Sequence, residues 1–577
     1  MKQPGEAEIK QPQRIGSYWK NQKGVLAIVL VAGCVYNGFM AVGPVLQGKL
    51  IDAVSGKKGK GVIWLALLFL ASVLMVQFAR YFKRFYVRRF ANRVAIAMRR
   101  NAYHNLLKES APRLEREDAG NLMTRLLADV DLCAEGMRKV TTEIFDTGVL
   151  LLSYFIMMLH YDVRITLICC AFVVPAMFLA EKMKLIITRT TAALRTQSSA
   201  TAAVTLESLE HLLLYRRSGR QQESAARYGH SLGKLEKVAV KAGVAENAMQ
   251  PLYNSVGQLG VLPAVLLGGA KVLNGAWSVG LFSTYLTLFV AVASRASVAA
   301  KTFHAAQKAR VSWLRLKPYL KEYEPWQLPP AAEEPGELVA EDLSFTYEGA
   351  AAPAFLPLSF SARPGELIAV TGPVGCGKSS LGAALSGLYS YEGSARLGGT
   401  ELRALTREER AARIAWLGHE PQLFSAGIFE NTGAQTTAQA EALLGEAGFG
   451  EDLAAMPQGL ETPAGGGGAA LSGGQQSRIA LARTLAGHKN LIILDDPFAA
   501  VDAFTEEKIL TRLKETCGRS IVVLIAHRLR AFPLADHIIM MEKDKPALQG
   551  DHAFLMNESP VYREIYQLQQ GKAGEEA

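Results

Sequence analysis

Cysteine is scarce in this chain: six in 577 residues, at Cys34, Cys133, Cys169, Cys170, Cys376 and Cys517. Their separations match no metal-ligand spacing, which excludes a zinc ribbon or a disulfide scaffold, and all six read as structural. No cleavable leader is expected either. About twenty polar residues precede the first apolar block, too many for a signal peptide with a short apolar centre. No internal repeat appears beyond an alternation of apolar blocks and long polar segments. An even spread of apolar residues is also absent. Long apolar blocks crowd the first 300 residues, and the remainder has the texture of an ordinary α/β protein. The net charge is +10 and the pI about 9.1. A basic balance suits nucleic acid or the cytoplasmic loops of a membrane protein. The apolar blocks decide for the second, and no nucleic-acid partner is expected.

Six blocks are near the length a helix needs to cross a bilayer, roughly 20 residues. They lie at about 24–46, 61–82, 141–160, 164–188, 250–272 and 276–300. Gln77 and Arg80 interrupt the second, Glu181, Lys182 and Lys184 end the fourth, and Arg295 lies in the sixth. Charged side chains at span ends reach back to water. Segments 83–140 and 183–249 are rich in Lys and Arg, whereas 161–163 and 273–275 are tiny. The positive-inside rule therefore puts the long segments, and both termini, in the cytoplasm of a multi-pass cell-membrane protein. Lys57, Lys58 and Lys60 in the first outer loop are a mild exception. WQLPPAAEEPG (326–336) reads as an exposed connector. The expected division is a cytoplasmic segment 1–23, a transmembrane domain 24–310, a linker 311–336, a nucleotide-binding domain 337–570 and a tail 571–577.

Residues 372–379 read GPVGCGKS. The pattern G-x-x-x-x-G-K-S puts glycines where the backbone wraps an anion, with amide groups and a helix N-terminus facing phosphates. The apolar run LIAVT (367–371) before it and SSLGAAL (379–385) after it supply the strand and helix the motif requires. Lys378 would reach the β- and γ-phosphates, and Ser379 would ligate Mg²⁺. LIILD (491–495) is an apolar strand ending in a carboxylate, placing Asp495 to hold the same metal through water. IVVLIAH (521–527) is a third buried strand, ending at His527.

Between these strings stands LSGGQ, Leu471, Ser472, Gly473, Gly474 and Gln475. With it the chain resembles the ATP-binding cassette (ABC) family, in which this signature caps ATP bound to the opposite cassette. The resemblance covers nearly the whole chain, in the family's motif order. It implies an exporter-type fold: a six-helix transmembrane α-bundle with long cytoplasmic helix extensions, followed by an α/β ATP-binding cassette domain. It implies coupling helices near Arg113–Asn121 and Thr205–Tyr215. It further implies that Tyr347 stacks on adenine, that His527 contacts the γ-phosphate, and that Gly372, Pro373, Val374, Gly375, Cys376, Gly377, Lys378, Ser379 and Ser380 cradle the phosphates. Asp502 would sit in the loop linking two sites. A short string, GLYSYEGSARLGG (387–399), is similar to one in the pair of half-transporters that exports thiols during cytochrome bd assembly.

Three positions depart from the family pattern. Where hydrolytic cassettes carry Glu after the strand, this chain has Asp496. Its carboxylate is one methylene short, about 1–1.5 Å, and misplacement of that size costs about 100-fold in rate. The family's Q-loop glutamine aligns with His419, with Gln422 three positions late. Gly466, within GGGG (465–468), stands where a Glu is usual. These losses, beside an intact signature, predict a degenerate ATP site in one half of a heterodimer. The partner would be a second half-transporter with Glu after its own strand-end Asp, completed by this chain's Ser472, Gly473 and Gln475. The expected function is ATP-driven transport of a small-molecule or peptide cargo by a membrane ATPase using ATP and Mg²⁺, in contact with membrane lipid. The alternatives are an ATP-binding regulatory or channel-like membrane protein with little hydrolysis, and an importer on the exporter-type fold, such as a metal-chelate carrier.

Overall fold

A computed structural model describes residues 9–56, 59–325, 335–487, 489–499, 501–516 and 518–575. Cys517, Lys57, Lys58 and most of the expected connector, 326–334, lie outside the described residues. The chain divides into two compact units, Met1–Glu109 with Glu117–Glu324, and Ser110–Arg116 with Pro325–Ala577.

The first unit is helical throughout. Four of its helical stretches are long and apolar enough to cross a membrane: Lys23–Ser55, Gly61–Leu107, Ala119–Tyr161 and Ser255–Leu273. Val279–Ser294 adds a shorter apolar stretch inside the helix Val279–Leu316. The block expected at 164–188 is helical but is divided at Phe172 between Val163–Ala171 and Val173–Glu210. Ile63, Trp64, Leu67, Leu70 and Leu74 are all exposed, as a surface that meets hydrocarbon requires.

Inside the helix Lys23–Ser55, a backbone carbonyl freed by proline finds a side-chain partner. Pro44 cannot donate to the carbonyl four residues before it, Met40, and Tyr154 Oη donates to that oxygen at 3.1 Å. Gly48 and Gly280 let two helices touch: a Cβ on Gly280 would lie 1.9 Å from the Gly48 carbonyl. The contact is pinned by Asp52, whose Oδ1 accepts from Gly280 N at 2.7 Å and whose Oδ2 accepts from Ser278 Oγ at 2.6 Å.

The expected first coupling helix is broken in two. Ala111–Arg116 ends, and Asp118 then caps a new helix, Ala119–Thr124, by accepting from Asn121 N at 3.2 Å. Near the expected second one, the helix Val173–Glu210 stops at His211 and Leu212–Arg217 follows. The last membrane-domain helix runs to Leu316, past the expected limit at 310, and residues to Glu324 pack with the first unit. His104 Nε2 lies 2.7 Å from the Glu324 carbonyl and Asn101 Nδ2 donates to the Lys321 carbonyl at 2.9 Å.

The second unit contains two sheets. An antiparallel sheet orders Phe355–Ala362, Leu338–Phe345, Glu392–Leu397 and Thr400–Glu401. The larger sheet orders Leu548–Gly550, His537–Met540, Leu367–Thr371, Ile521–Ile525, Leu491–Asp495 and Ile414–Leu417. All its pairings are parallel except the edge strand Leu548–Gly550. The central strands are buried on both faces, which explains their unbroken apolar runs. Leu367, Ile492, Leu494 and Leu524 face one core, and Ile368, Val370, Ile493 and Ile525 face the other.

Candidate functional site

Parallel pairing places the carboxyl ends of four neighbouring strands on one sheet edge, where open α/β sheets bind ligands. From these ends leave the loop at Gly372, the segment at His419, the pair Asp495–Asp496 and the turn at His527. Residues scattered across more than 150 positions of sequence thereby converge.

The phosphate loop follows Leu367–Thr371 and opens the helix Lys378–Leu385. Gly372, Gly375 and Gly377 all have positive φ, at 146°, 83° and 96°. A Cβ on Gly372 would fall 2.0 Å from the Met541 carbonyl, and one on Gly377 would fall 2.4 Å from that of Ala354. Both positions therefore exclude a side chain on contact as well as on backbone conformation. Lys378 is buried, and its Nζ donates to the carbonyls of Gly372 and Pro373, both at 2.8 Å, with Cys376 Sγ at 3.8 Å. Val374 forms the exposed tip. Ser379 Oγ donates to Asp495 Oδ1 at 3.2 Å, a pair able to share one hard cation.

Asp495 is buried at its strand end. Burial pushes its carboxyl above the usual range, opposed by the Ser379 hydrogen bond and by His419. Such a group gains from a cation in contact. Asp496 has φ of +50°, a left-handed conformation that Asp tolerates better than most side chains. Its Oδ2 lies 3.8 Å from Nδ1 of the exposed His419. His527 is held below the ordinary histidine value, first by the packing around its ring and next by the Lys378 ammonium. Asp495, Asp496 and His419 also act on it electrostatically. Lys378, Ser379, Asp495, Asp496, His419 and His527 thus form one group.

Tyr347 lies just past the strand Leu338–Phe345 with its ring half exposed. Its hydroxyl is 3.1 Å from Ser380 Oγ, and its ring meets Phe345 edge-on, centroids 4.8 Å apart. An open aromatic face therefore stands beside the phosphate loop. Gln422 is exposed, and its carbonyl accepts from Arg483 at 2.6 Å, so it is part of a different contact.

Leu471–Gln475 joins no phosphate-loop residue by a hydrogen bond or ion pair among the described residues. It forms its own helix start. Ser472 caps Gly473–Leu485 in a reciprocal capping box with Gln475. Gln475 Nε2 also donates to Asp452 Oδ1 at 2.9 Å, and Arg478 pairs with Asp452 Oδ2 at 2.8 Å. Gly474 lends its carbonyl to Arg478. The glycine run before it is a tight turn: Gly465, Gly467 and Gly468 have positive φ, and Gly466 has open space where a side chain would point. Asp502 caps the next helix by accepting from Thr505 N at 2.9 Å and Phe504 N at 3.1 Å. Sequence reading missed Asp452 and also Gln569. Gln569 Nε2 donates to the His527 carbonyl at 2.9 Å and its Oε1 accepts from Leu529 N at 2.8 Å. Neither residue belongs to a spacing motif, so no local signal pointed to it.

Residues 26–296 match the family described as ABC transporter transmembrane region, and residues 355–499 match ABC transporter. The chain belongs to the ABC transporter family. It is similar to the Multidrug resistance-like ATP-binding protein MdlA of Escherichia coli (strain K12), 26% identical over 573 residues, covering 96% of this chain and 95% of that protein. It is similar also to an ATP-dependent lipid A-core flippase of Chromobacterium violaceum, 25% identical over 538 residues, covering 91% of each. Its fold matches a bacterial Atm1-family ABC exporter solved with ATP bound, at a TM-score of 0.79 and 19% identity, over 96% of this chain and 99% of that one. The transporter is accordingly an ATP-driven, multi-pass inner-membrane protein with fused membrane and ATPase domains.

Proposed function

We propose that this transporter is the unequal half of a heterodimeric exporter whose own ATP site is slow. The observation that carries this reading is the pairing of a short Asp496 with His419, set against a fully capped LSGGQ helix. ATP fits the phosphate loop on the donor side: the glycine backbone leaves room, and Gly375 has open space around it. Its Lys378 ammonium spends its hydrogen bonds on carbonyls of the loop itself, so it is poised to exchange them for phosphate oxygens. Tyr347 offers the adenine a ring. Ser379 and Asp495 would hold Mg²⁺, which when bound neutralises phosphate charge. Asp496 orients the attacking water, but from about a methylene too far. His527 stays neutral and donates toward the γ-phosphate. Ser472, Gly473 and Gln475 complete the site whose base belongs to the partner.

Closure of two cassettes on ATP then shifts the membrane helices between two states, because the contacts of the closed form exist only there. Both termini face the cytoplasm, in keeping with the basic long loops. Cargo is a small molecule or amphipath, as the names of the relatives suggest. The deciding experiment measures ATPase activity of this chain alone and purified with a second half-transporter carrying Asp-Glu at the strand end. Low turnover alone and high turnover in the pair is expected. Full activity as a homodimer overturns the unequal-halves reading, and negligible turnover in the pair favours an ATP-sensing regulator.

A further inference from the structure

No carboxylate occurs between Asp52 and Glu109, while Arg80, Lys83, Arg84, Arg88, Arg89 and Arg93 fall within that interval. The helix Gly59–Leu107 sorts these cations by face. Val76, Ala79, Lys83, Val87 and Phe90 form a buried seam. On that seam Lys83 is fully matched: it pairs with Asp146 and lies 4.0 Å over the Tyr36 ring. On another face, Gln77, Arg80, Tyr81, Arg84, Phe85 and Arg88 line an open groove of about 430 Å³. Arg80 and Arg84 have no hydrogen-bonded or ion-paired carboxylate among the described residues. Glu135, the acidic group that senses Arg88, is held by both guanidinium arms of Arg138.

A second groove, of about 410 Å³ and almost wholly apolar, runs between this helix and Lys23–Ser55. Ile28, Val31, Val35, Met75, Phe78 and Phe82 are among its walls. Phe82 of the apolar groove and Tyr81 of the basic one are neighbours on the helix, their rings edge-on with centroids 5.7 Å apart. The depth also fits. Residues 61–80 rise about 30 Å, the thickness of the hydrocarbon, so Arg84 and Arg88 stand about 6 and 12 Å beyond, at headgroup level. Tyr81 and Phe85 occupy the interfacial belt.

We propose that these two grooves form one binding site for an anionic phospholipid, with the headgroup phosphate on Arg80, Arg84 and Arg88 and an acyl chain along the apolar groove. Arg80 and Arg84, with no paired carboxylate among the described residues, and Arg88, whose acidic neighbour Glu135 is held by Arg138, make a basic face that favours an anion, and guanidinium binds phosphate in fork geometry. An apolar slot along the same helix suits an anion that carries a tail. The site is independent of the proposal about unequal ATP sites.

The test uses the full chain in detergent, titrated with dioleoyl phosphatidylglycerol or dioleoyl phosphatidylcholine and read as bound lipid by native mass spectrometry. The anionic lipid should bind at least about tenfold tighter, and the triple variant R80Q/R84Q/R88Q should lower it to the level of the zwitterionic one. Ala32→Trp, which fills the apolar groove, should weaken both lipids. Equal binding of the two lipids by the unaltered chain overturns the proposal, as does undiminished phosphatidylglycerol binding by the triple variant. Displacement by inorganic phosphate at equal concentration overturns the lipid source and leaves a free-anion site. Loss of lipid on assembly with a second half-transporter overturns it in favour of a protein interface. Unchanged ATP-induced thermal stabilisation reports a folded variant. Should the triple variant lack it, Arg84→Gln replaces it: phosphatidylglycerol binding should weaken and Arg84→Lys should restore part of it, and undiminished binding by Arg84→Gln overturns the proposal.

Discussion

His419 Nδ1 lies 3.8 Å from Asp496 Oδ2, so two of the three positions read as departures from the family pattern face each other across one site. Their substitutions are therefore coupled. Asp496→Glu should raise single-turnover hydrolysis at this chain's own site by about 10–100-fold, by restoring the carboxylate's reach. Adding His419→Gln should raise it further than the sum of the separate effects. A rapid-quench measurement showing no gain from Asp496→Glu would refute the reach argument.

The two nucleotide sites of a heterodimer should respond unequally to changes in this chain. Lys378→Ala removes the cation from the slow site and should cost the pair only a few-fold in turnover. Ser472→Ala removes a helix cap worth about 1 kcal/mol and, on the proposed heterodimer, the signature contact to the partner's site, and should cost the pair at least about 100-fold. Steady-state ATPase of the two variants checks this, and the reverse ranking contradicts it.

Gln569 holds both backbone neighbours of the His527 turn, through the His527 carbonyl and Leu529 N. Gln569→Ala should loosen that turn, lowering kcat at this chain's own site about 3–10-fold while leaving the KM for ATP there near its original value. Gln569→Glu keeps the acceptor but loses the donor, and should fall between. An equal loss in KM would indicate that the C-terminal helix acts on nucleotide binding instead.

His527 sets a pH dependence. Its pKa lies below the ordinary 6.5, from packing and from Lys378. As pH falls through 6.5 the unfolded chain takes up a proton that the folded chain refuses, so its contribution to stability is lost on acidification. Asp495 acts in the opposite sense: its raised pKa means the folded carboxyl keeps its proton longer, and its contribution fades as pH rises above 3.8. The acidic limb of hydrolysis at this chain's own site should thus lie below pH 6.5, and His527→Asn should remove it. A pH–rate profile with its acidic limb above 6.5 would count against this assignment.

The sequence by itself determined what contiguous residues encode. The phosphate loop, the strand ending at Asp495 and the LSGGQ helix start are local patterns, because glycine conformation, an apolar run and a cap act within a few residues. The apolar blocks likewise announced a membrane domain, since crossing hydrocarbon demands length and composition at once. Tertiary structure alone decided the pairings that depend on folding over distance. It set His419 against Asp496, Lys83 against Asp146, Gln569 against the His527 turn and Tyr154 against the carbonyl freed by Pro44. It also broke the expected coupling helix at Asp118, where a side-chain cap competes with helix continuation. Periodicity reports which face of a helix seeks burial, but a polar side chain's partner is chosen by where the sheet edge or neighbouring helix finally stands.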